Sequence, residues 1–213
     1  MFTGIVEEVG RVARAERARG DLRLRIDATR VTDDLAVGDS VAVSGCCLTV
    51  VAHDADGFEV EATDETLRAT APRWHEGARV NLERAVRADG RFGGHVVSGH
   101  VEGVGTVTER TDVEGAVVVR IEAPPALAPW FVPKGSVTVD GVSLTTVDVG
   151  GPYGTDPAAS AASFSLWLIP HTLEVTTLGD LAIGDRVNLE ADLLARYAAR
   201  AAALATPGTE RTR

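Results

Sequence analysis

The sequence has only two cysteines in 213 residues, and they are neighbours, Cys46 and Cys47. On a strand the two point to opposite faces, so a disulfide between them is not expected. Free thiols fit a reducing cytoplasm. Basic residues are also short, 21 Lys and Arg against 31 Asp and Glu, which leaves a formal net charge of −10. That argues against nucleic acid, whose binding runs on phosphate neutralisation by clustered cations. No apolar run approaches the ~20 residues of a membrane-spanning helix. The opening MFTGIVEE has neither the basic nor the apolar region of a secretory signal. No Cys/His cluster supplies a tetrahedral ligand set, so no metal is expected. Neither G-x-G-x-x-G nor G-x-x-x-x-G-K-[ST] occurs, which leaves dinucleotide and P-loop readings without support.

What the chain does contain is one unit written twice. Shifted by 95, Thr3 to Val12 lies over Ser98 to Val107 with six of ten positions identical. Ser40 to Thr49 lies over Ser136 to Thr145 at an offset of 96, and Gly77 to Glu83 over Gly184 to Glu190 at 107. Such self-similarity decides the domain organisation. The units are residues 1–96 and 97–192, each near the usual size of a domain. The change of offset falls in residues 150–163, a Gly-, Pro-, Ala- and Ser-rich segment expected to be a surface loop away from any chemistry.

Within each unit, short strands with turn signals every ten or so residues predict a small β-barrel or sandwich. In the first, residues 3–13, Asp21 to Ala28, Ser40 to Val51, Phe58 to Ala62 and Ala78 to Ala85 read as strands. Residues 29–35 read as a short helix. A second is expected to start at Asp64 as its N-cap, and residues 72–77 form a surface turn. In the second copy Pro124-Pro125 opens the first helical piece. Residues 193–206 read as a helix with Leu194, Tyr197, Ala201 and Leu204 on one stripe. The spacing leaves open whether that stripe packs on its own barrel or on another subunit. Residues 207–213 are expected to be a disordered tail.

Cys47 and Ser143 are equivalent in the two copies, as are Thr49 and Thr145. By alternation Cys47 and Thr49 share one face and Leu48 takes the other, with the same pattern at Ser143, Leu144 and Thr145. A free thiol is already a fair nucleophile near neutral pH, although a buried structural Cys is the commoner reading of such spacing. His95 and His100, five apart, fall on opposite faces of a regular strand, which speaks against a shared metal. Either is a candidate general base. His53 and His75 read as solvated, and His171 stands where the first copy has Glu65. Asp140 and Asp192 are expected in solvated or capping roles at strand ends. The residues unaided thus point to two related sites with unlike side chains, Cys against Ser and Glu against His.

Eight motifs in order, MFTGIVEE, GCCLTV, ETLR, VNLERA, GRFGGHVVSGHVEG, KGSVTVDGVSLT, LIPHTLEVTTL and VNLEAD, resemble the riboflavin synthase alpha chain over about residues 1–197. The resemblance implies an all-β fold, two tandem six-stranded antiparallel Greek-key β-barrels with a C-terminal helix that assembles a homotrimer. It implies no metal and no redox cofactor. It implies dismutation of two molecules of 6,7-dimethyl-8-ribityllumazine, with a four-carbon unit passing from one to the other. The products are riboflavin and 5-amino-6-ribitylaminouracil. The site would form between the first barrel of one subunit and the second of its neighbour. Carried over by motif, the first barrel's pocket would be Gly4, Ile5, Val6, Cys47, Leu48, Thr49, Glu61, Ala62, Thr63, Asp64, Glu65 and Thr66. The second's would be Gly99, His100, Val101, Ser143, Leu144, Thr145, Trp167, Leu168, Ile169, Pro170, His171 and Thr172. Lys134 would reach in from a neighbouring chain. Ser40, Cys47, His100, Thr145 and Asp192 match the positions implicated in catalysis. Ser44 departs from the usual Asn before Gly, which puts one pocket-side hydrogen bond in doubt. The resemblance leaves open an association with lumazine synthase. It also admits an alternative, a lumazine- or flavin-binding antenna protein of the same fold without catalysis.

Overall fold

A computed structural model describes residues 1–18, 21–151 and 162–205. The first unit holds β1 (Glu8–Ala18), β2 (Asp21–Asp27), β3 (Ser40–Val43), β4 (Cys46–Asp54), β5 (Gly57–Ala62), α1 (Asp64–Ala69) and β6 (Arg79–Arg84). The second holds β7 (Gly103–Val113), β8 (Ala116–Glu122), β9 (Ser136–Val139), β10 (Val142–Gly150), β11 (Ser163–Leu168), α2 (Pro170–Val175) and β12 (Arg186–Ala191). Helix α3 (Leu193–Ala205) follows. Each unit closes into a six-stranded antiparallel barrel, β1-β2-β5-β4-β3-β6 and its exact counterpart in β7 to β12. Closure removes the free edges that an open sheet of this size would leave.

Alternation builds the barrels. On β2, Leu22, Leu24 and Ile26 are buried while Arg23 and Arg25 are half-exposed, and Val117, Val119 and Ile121 repeat this on β8. Val12, Phe58, Val60 and Leu82 complete the first core, and Phe164, Leu166 and Leu189 join the second. Each such side chain contributes roughly 1.5–3 kcal/mol when taken fully out of water.

Two expectations are corrected, and one left open is decided. Ser40 to Val51 is not one strand but two, joined at Ser44-Gly45, where φ is 45° and 80°. Two successive positive φ values make a tight hairpin turn, and the β-branched residues on both sides hid it. Helix α1 is capped by Thr63, whose Oγ1 accepts from the Thr66 amide at 3.3 Å, so Asp64 is its first helical residue. The stripe on α3 does not pack on its own barrel: Leu194, Tyr197 and Leu204 are 67–70% exposed. Of the expected loop at residues 150–163, residues 152–161 lie outside the described residues, as does the tail, while Gly150 ends β10 and Ser163 begins β11.

The barrels meet at their copied hairpin turns. The Asn81 side chain donates to the Asp140 carbonyl at 2.9 Å, and its equivalent Asn188 donates to the Ser44 carbonyl at 2.8 Å. Their amide oxygens accept from Thr177 and Ala71 at 2.8 and 2.6 Å. Gly45 and Gly141 face each other, and a Cβ on Gly45 would sit 2.7 Å from the Gly141 nitrogen. Ser44 is therefore buried between the barrels, not on a pocket wall. Asp140 is also fully buried, not solvated, and pairs with Arg73 at 2.9 Å across the junction. Arg73 belongs to the segment expected at the surface. It turns inward because Asp140 needs a counter-charge there.

Candidate functional site

Strand β5 pairs with β4 only from Val50 onward, so the outer backbone of β4 before Val50 is free. The other unit fills it. The Cys47 amide donates to the Gly99 carbonyl at 2.7 Å, and the Ser143 amide donates to the Gly4 carbonyl at 2.8 Å. The two arms are joined by a bridge between Phe2 and Val97. Glu83, nearly buried, accepts from the Thr3 amide, the Thr3 hydroxyl and the Gly4 amide at 2.7, 2.9 and 3.0 Å. Glu190 holds Ser98 and Gly99 through the same three contacts at 2.7, 2.6 and 2.9 Å. Gly99 has φ 79°, and a Cβ there would lie 2.7 Å from the Cys47 Cβ, so only glycine allows this approach.

The arms are thus exchanged. Val6 packs on the second barrel's core and Val101 on the first's. The grouping expected from sequence is corrected: Gly4–Val6 lies with Ser143, and Gly99–Val101 with Cys47. The resemblance carries over unit by unit, and nothing in a single copy reveals that its first residues leave it.

Around Cys47 the outer face carries Thr49, exposed, and Ser40, which pairs with Thr49 across the ladder and so points the same way. Ser40, Thr3, Ile5 and Gly93 line one cleft of about 610 Å³. Cys46 and Leu48 face the core, and burial pushes the Cys46 thiol up to about 12. Cys47 is half-buried and in van der Waals reach of Gly99. The second barrel repeats the arrangement with Ser143 half-buried and Thr145 exposed. Beside it Trp167 and Ile169 are 54% and 56% exposed, and Ile5 49%. Such exposed apolar groups beside hydroxyls and backbone donors suit a flat heteroaromatic ligand. Glu61, Glu65, Pro170 and His171 are exposed and Thr66 and Thr172 half-buried. Ala62 and Leu168 are buried in their cores, which leaves only their backbones to meet a ligand.

The five candidate catalytic residues are not joined by hydrogen bonds among the described residues. Ser40 and Cys47 share the first barrel's outer face, His100 follows Gly99 on the arm bonded to Cys47, and Thr145 lies on the second barrel's outer face. Asp192 follows β12 and caps α3, its Oδ1 accepting from Leu194 at 2.9 Å. His100 is exposed on the Gly99 arm. Lys134 is exposed with φ 63°, an uncommon backbone for lysine. No group of three His, Cys, Asp or Glu side chains among the described residues is placed to hold a metal.

One residue left undecided by sequence reasoning stands out. His95 Nδ1 lies 2.7 Å from the Ser143 hydroxyl, and its Nε2 is buried without a partner. Burial pushes its pKa below the ordinary histidine value, while the charges of Asp192 and Glu190 pull the other way. Among the described residues Cys47 has no histidine hydrogen-bonded to its side chain. Alternation along a strand was the wrong guide here, since residues 95–102 are an arm and not part of a barrel strand.

The profile of the lumazine binding domain matches residues 3–85 and again 98–192. A curated riboflavin synthase of Mycobacterium tuberculosis is 47% identical over 94% of this chain and 97% of its own. That of Brucella abortus is 44% identical over 95% and 98%, and that of Bacillus subtilis 39% over 92% and 87%. The chain belongs to the riboflavin synthase family. A solved structure of LumP complexed with riboflavin shares the fold, with a TM-score of 0.77 and 24% identity over 90% of this chain and 99% of that one. LumP complexed with flavin mononucleotide matches at 0.73 and 25% identity. Each lumazine-binding match in this riboflavin synthase family member opens on Thr3 or Ser98, the residue before the glycine that bonds the other barrel.

Proposed function

We propose that the chain is a riboflavin synthase that converts two molecules of 6,7-dimethyl-8-ribityllumazine into riboflavin and 5-amino-6-ribitylaminouracil. The near-full-length identity to curated riboflavin synthases carries this reading. The geometry supports it with two equivalent pockets whose side chains differ, Cys47 in one and Ser143 with His95 in the other. A dismutation needs that difference, since one lumazine gives up four carbons and the other receives them.

In this reading one lumazine lies against Cys47, Thr49 and the Gly99 arm, and the other against Ser143, Thr145 and the Gly4 arm. Cys47 is the candidate nucleophile toward one ring. His95 and His100 are the candidates for moving the proton of the acidic 7-methyl group. Holding two substrates face to face is itself a large rate term. The pockets lie on the outer faces of different barrels, so the facing pair is assigned to neighbouring chains of a homotrimer, with Lys134 reaching across. The exposed stripe Leu194, Tyr197 and Leu204 supports assembly through α3. Deleting residues 194–213 is expected to lower the mass in solution from trimer to monomer. A truncated chain that stays trimeric would assign the assembly to the barrels. The two free thiols support a cytoplasmic location.

The likeness to LumP favours a second reading, a binding protein without turnover. One assay separates the two. Purified protein is incubated with the lumazine alone, and riboflavin absorbance is followed. Ligand fluorescence changes without riboflavin formation would establish the second reading.

A further inference from the structure

The two units hold their arms in the same way up to one group. Glu7 accepts from the Arg84 amide at 2.8 Å and from the Arg84 Nε at 3.1 Å. The equivalent carboxylate, Glu102, accepts from the amide of the equivalent residue, Ala191, at 2.8 Å. Both glutamates donate their own amides to equivalent carbonyls, Leu82 and Leu189, at 2.8 Å. Alanine at 191 has no guanidinium to give. The missing charge comes from elsewhere: Arg196, on the first turn of α3, reaches Glu102 at 2.7 Å. Its guanidinium lies 5.4 Å from the ring centre of Trp130, which packs on the second core.

We propose that Arg196 is a positioning residue for the reaction: by holding Glu102 it fixes the arm that carries Gly99 and His100 against Cys47. Glu102 is two residues from His100 and three from the Gly99 carbonyl that binds the Cys47 amide. Its side chain is only 11% exposed. Burial already holds its pKa above the ordinary carboxylate range, and the neighbouring Glu190 adds to that. Ala191, Arg196 and His100 pull against it. An exposed ion pair would be worth little. Here removal of Arg196 leaves a largely buried carboxylate with a single donor beside a second carboxylate, and the arm is what can move. Displacement of a reacting group by about 1 Å costs on the order of a hundredfold in rate. The tail helix thereby sets the geometry of a pocket on the opposite barrel. This rests on the placing of His100 and Cys47 in the reaction given above.

The test uses the full chain with lumazine as substrate. Arg196→Ala is expected to lower kcat at least about tenfold, with KM within about twofold and the solution mass unchanged. Arg196→Lys, which keeps the charge, recovers part of kcat. Arg200→Ala, one turn further along α3, leaves kcat as it was. Arg196→Ala and Glu102→Gln together lose no more than the worse of the two alone, as expected for one interaction. Unchanged kcat in Arg196→Ala overturns the proposal, and so does a loss that appears only with a loss of mass. Should Arg196→Ala fail to fold, Glu102→Gln decides by the same readouts, since it leaves α3 intact. A wild-type chain that forms no riboflavin overturns the function reading instead, so the two failures are distinguishable.

Discussion

His95 Nδ1 and Ser143 Oγ are 2.7 Å apart, a pair with no counterpart at Cys47 among the described residues. Because burial depresses the histidine's pKa, the ring is neutral at pH 7 and either accepts from or donates to the hydroxyl. His95→Ala is expected to lower riboflavin formation about 10²-fold, within the range of general acid–base contributions. Ser143→Ala in the same chain should add little. Additive losses would show that the two act separately.

The same depression has a stability consequence. The unfolded histidine, near ~6.5, binds a proton before the folded one does. Stability linked to His95 is therefore complete above ~6.5 and lost as pH falls toward the lower folded value. Thermal melts of wild type and His95→Gln from pH 7 to 5 should converge as pH falls. Parallel curves would refute this account.

Cys47 and Cys46 should separate function from folding. Cys47→Ser keeps size and loses nucleophilicity, so turnover falls strongly while riboflavin binding, read by fluorescence, persists. Cys46→Ser places a hydroxyl in the first core and costs about 1–3 kcal/mol of stability, with turnover per folded molecule near normal. A thiol reagent on the native protein should modify Cys47 well before Cys46. Equal loss of activity in both variants would rule Cys47 out as a special residue.

Arg73 and Asp140 test the junction. Arg73→Leu leaves a buried carboxylate without its counter-charge, and such losses run to about 3–5 kcal/mol. Burial already raises the Asp140 pKa, and removing Arg73 raises it further. A raised folded pKa means that stability is lost as pH rises through it. The deficit of Arg73→Leu relative to wild type should therefore be larger at pH 8 than at pH 5, by denaturant melts. Asp140→Asn in the same chain should recover part of it. A pH-independent deficit would show that packing alone is at stake.

The fragment of residues 1–96 should fold, since the first core is drawn mainly from it. It lacks Gly99, so the Cys47 amide has no partner from its own chain. The arm of a second copy offers Gly4 in the equivalent place. The fragment is expected to run as a dimer, to bind riboflavin, and to form it negligibly. A monomer that binds riboflavin as well as the whole chain would mean that the arm is no part of the pocket. Near-native turnover would overturn the division of roles between the barrels.

The repeat, the strands and the outward face of Cys47 and Thr49 were legible because they rest on local spacing. Offsets of 95 to 107 and alternation on β2 need no tertiary knowledge. The Ser44-Gly45 turn was missed because β-branched residues on both sides outweighed two turn residues. The burial of Asp140 and Arg73 was not legible, since a charge pair formed by residues 67 apart in sequence leaves no local pattern. The exchange of arms was hidden for the same reason. Each copy contains a Gly4-like arm and a Cys47-like strand, and sequence alone cannot say that each arm serves the other's strand.

That exchange bears on how the two pockets came to differ. Between separate identical chains, swapped arms make every substitution count twice, once in each pocket of the symmetric pair. Joined end to end, as here, the arm that meets Cys47 and the arm that meets Ser143 are encoded apart. His95 bonds Ser143 in one pocket, and position 191 can hold alanine because Arg196 of α3 supplies the guanidinium. Within one chain the two halves can therefore specialise. Linkage also keeps the stoichiometry at one of each pocket without any cost of finding a partner.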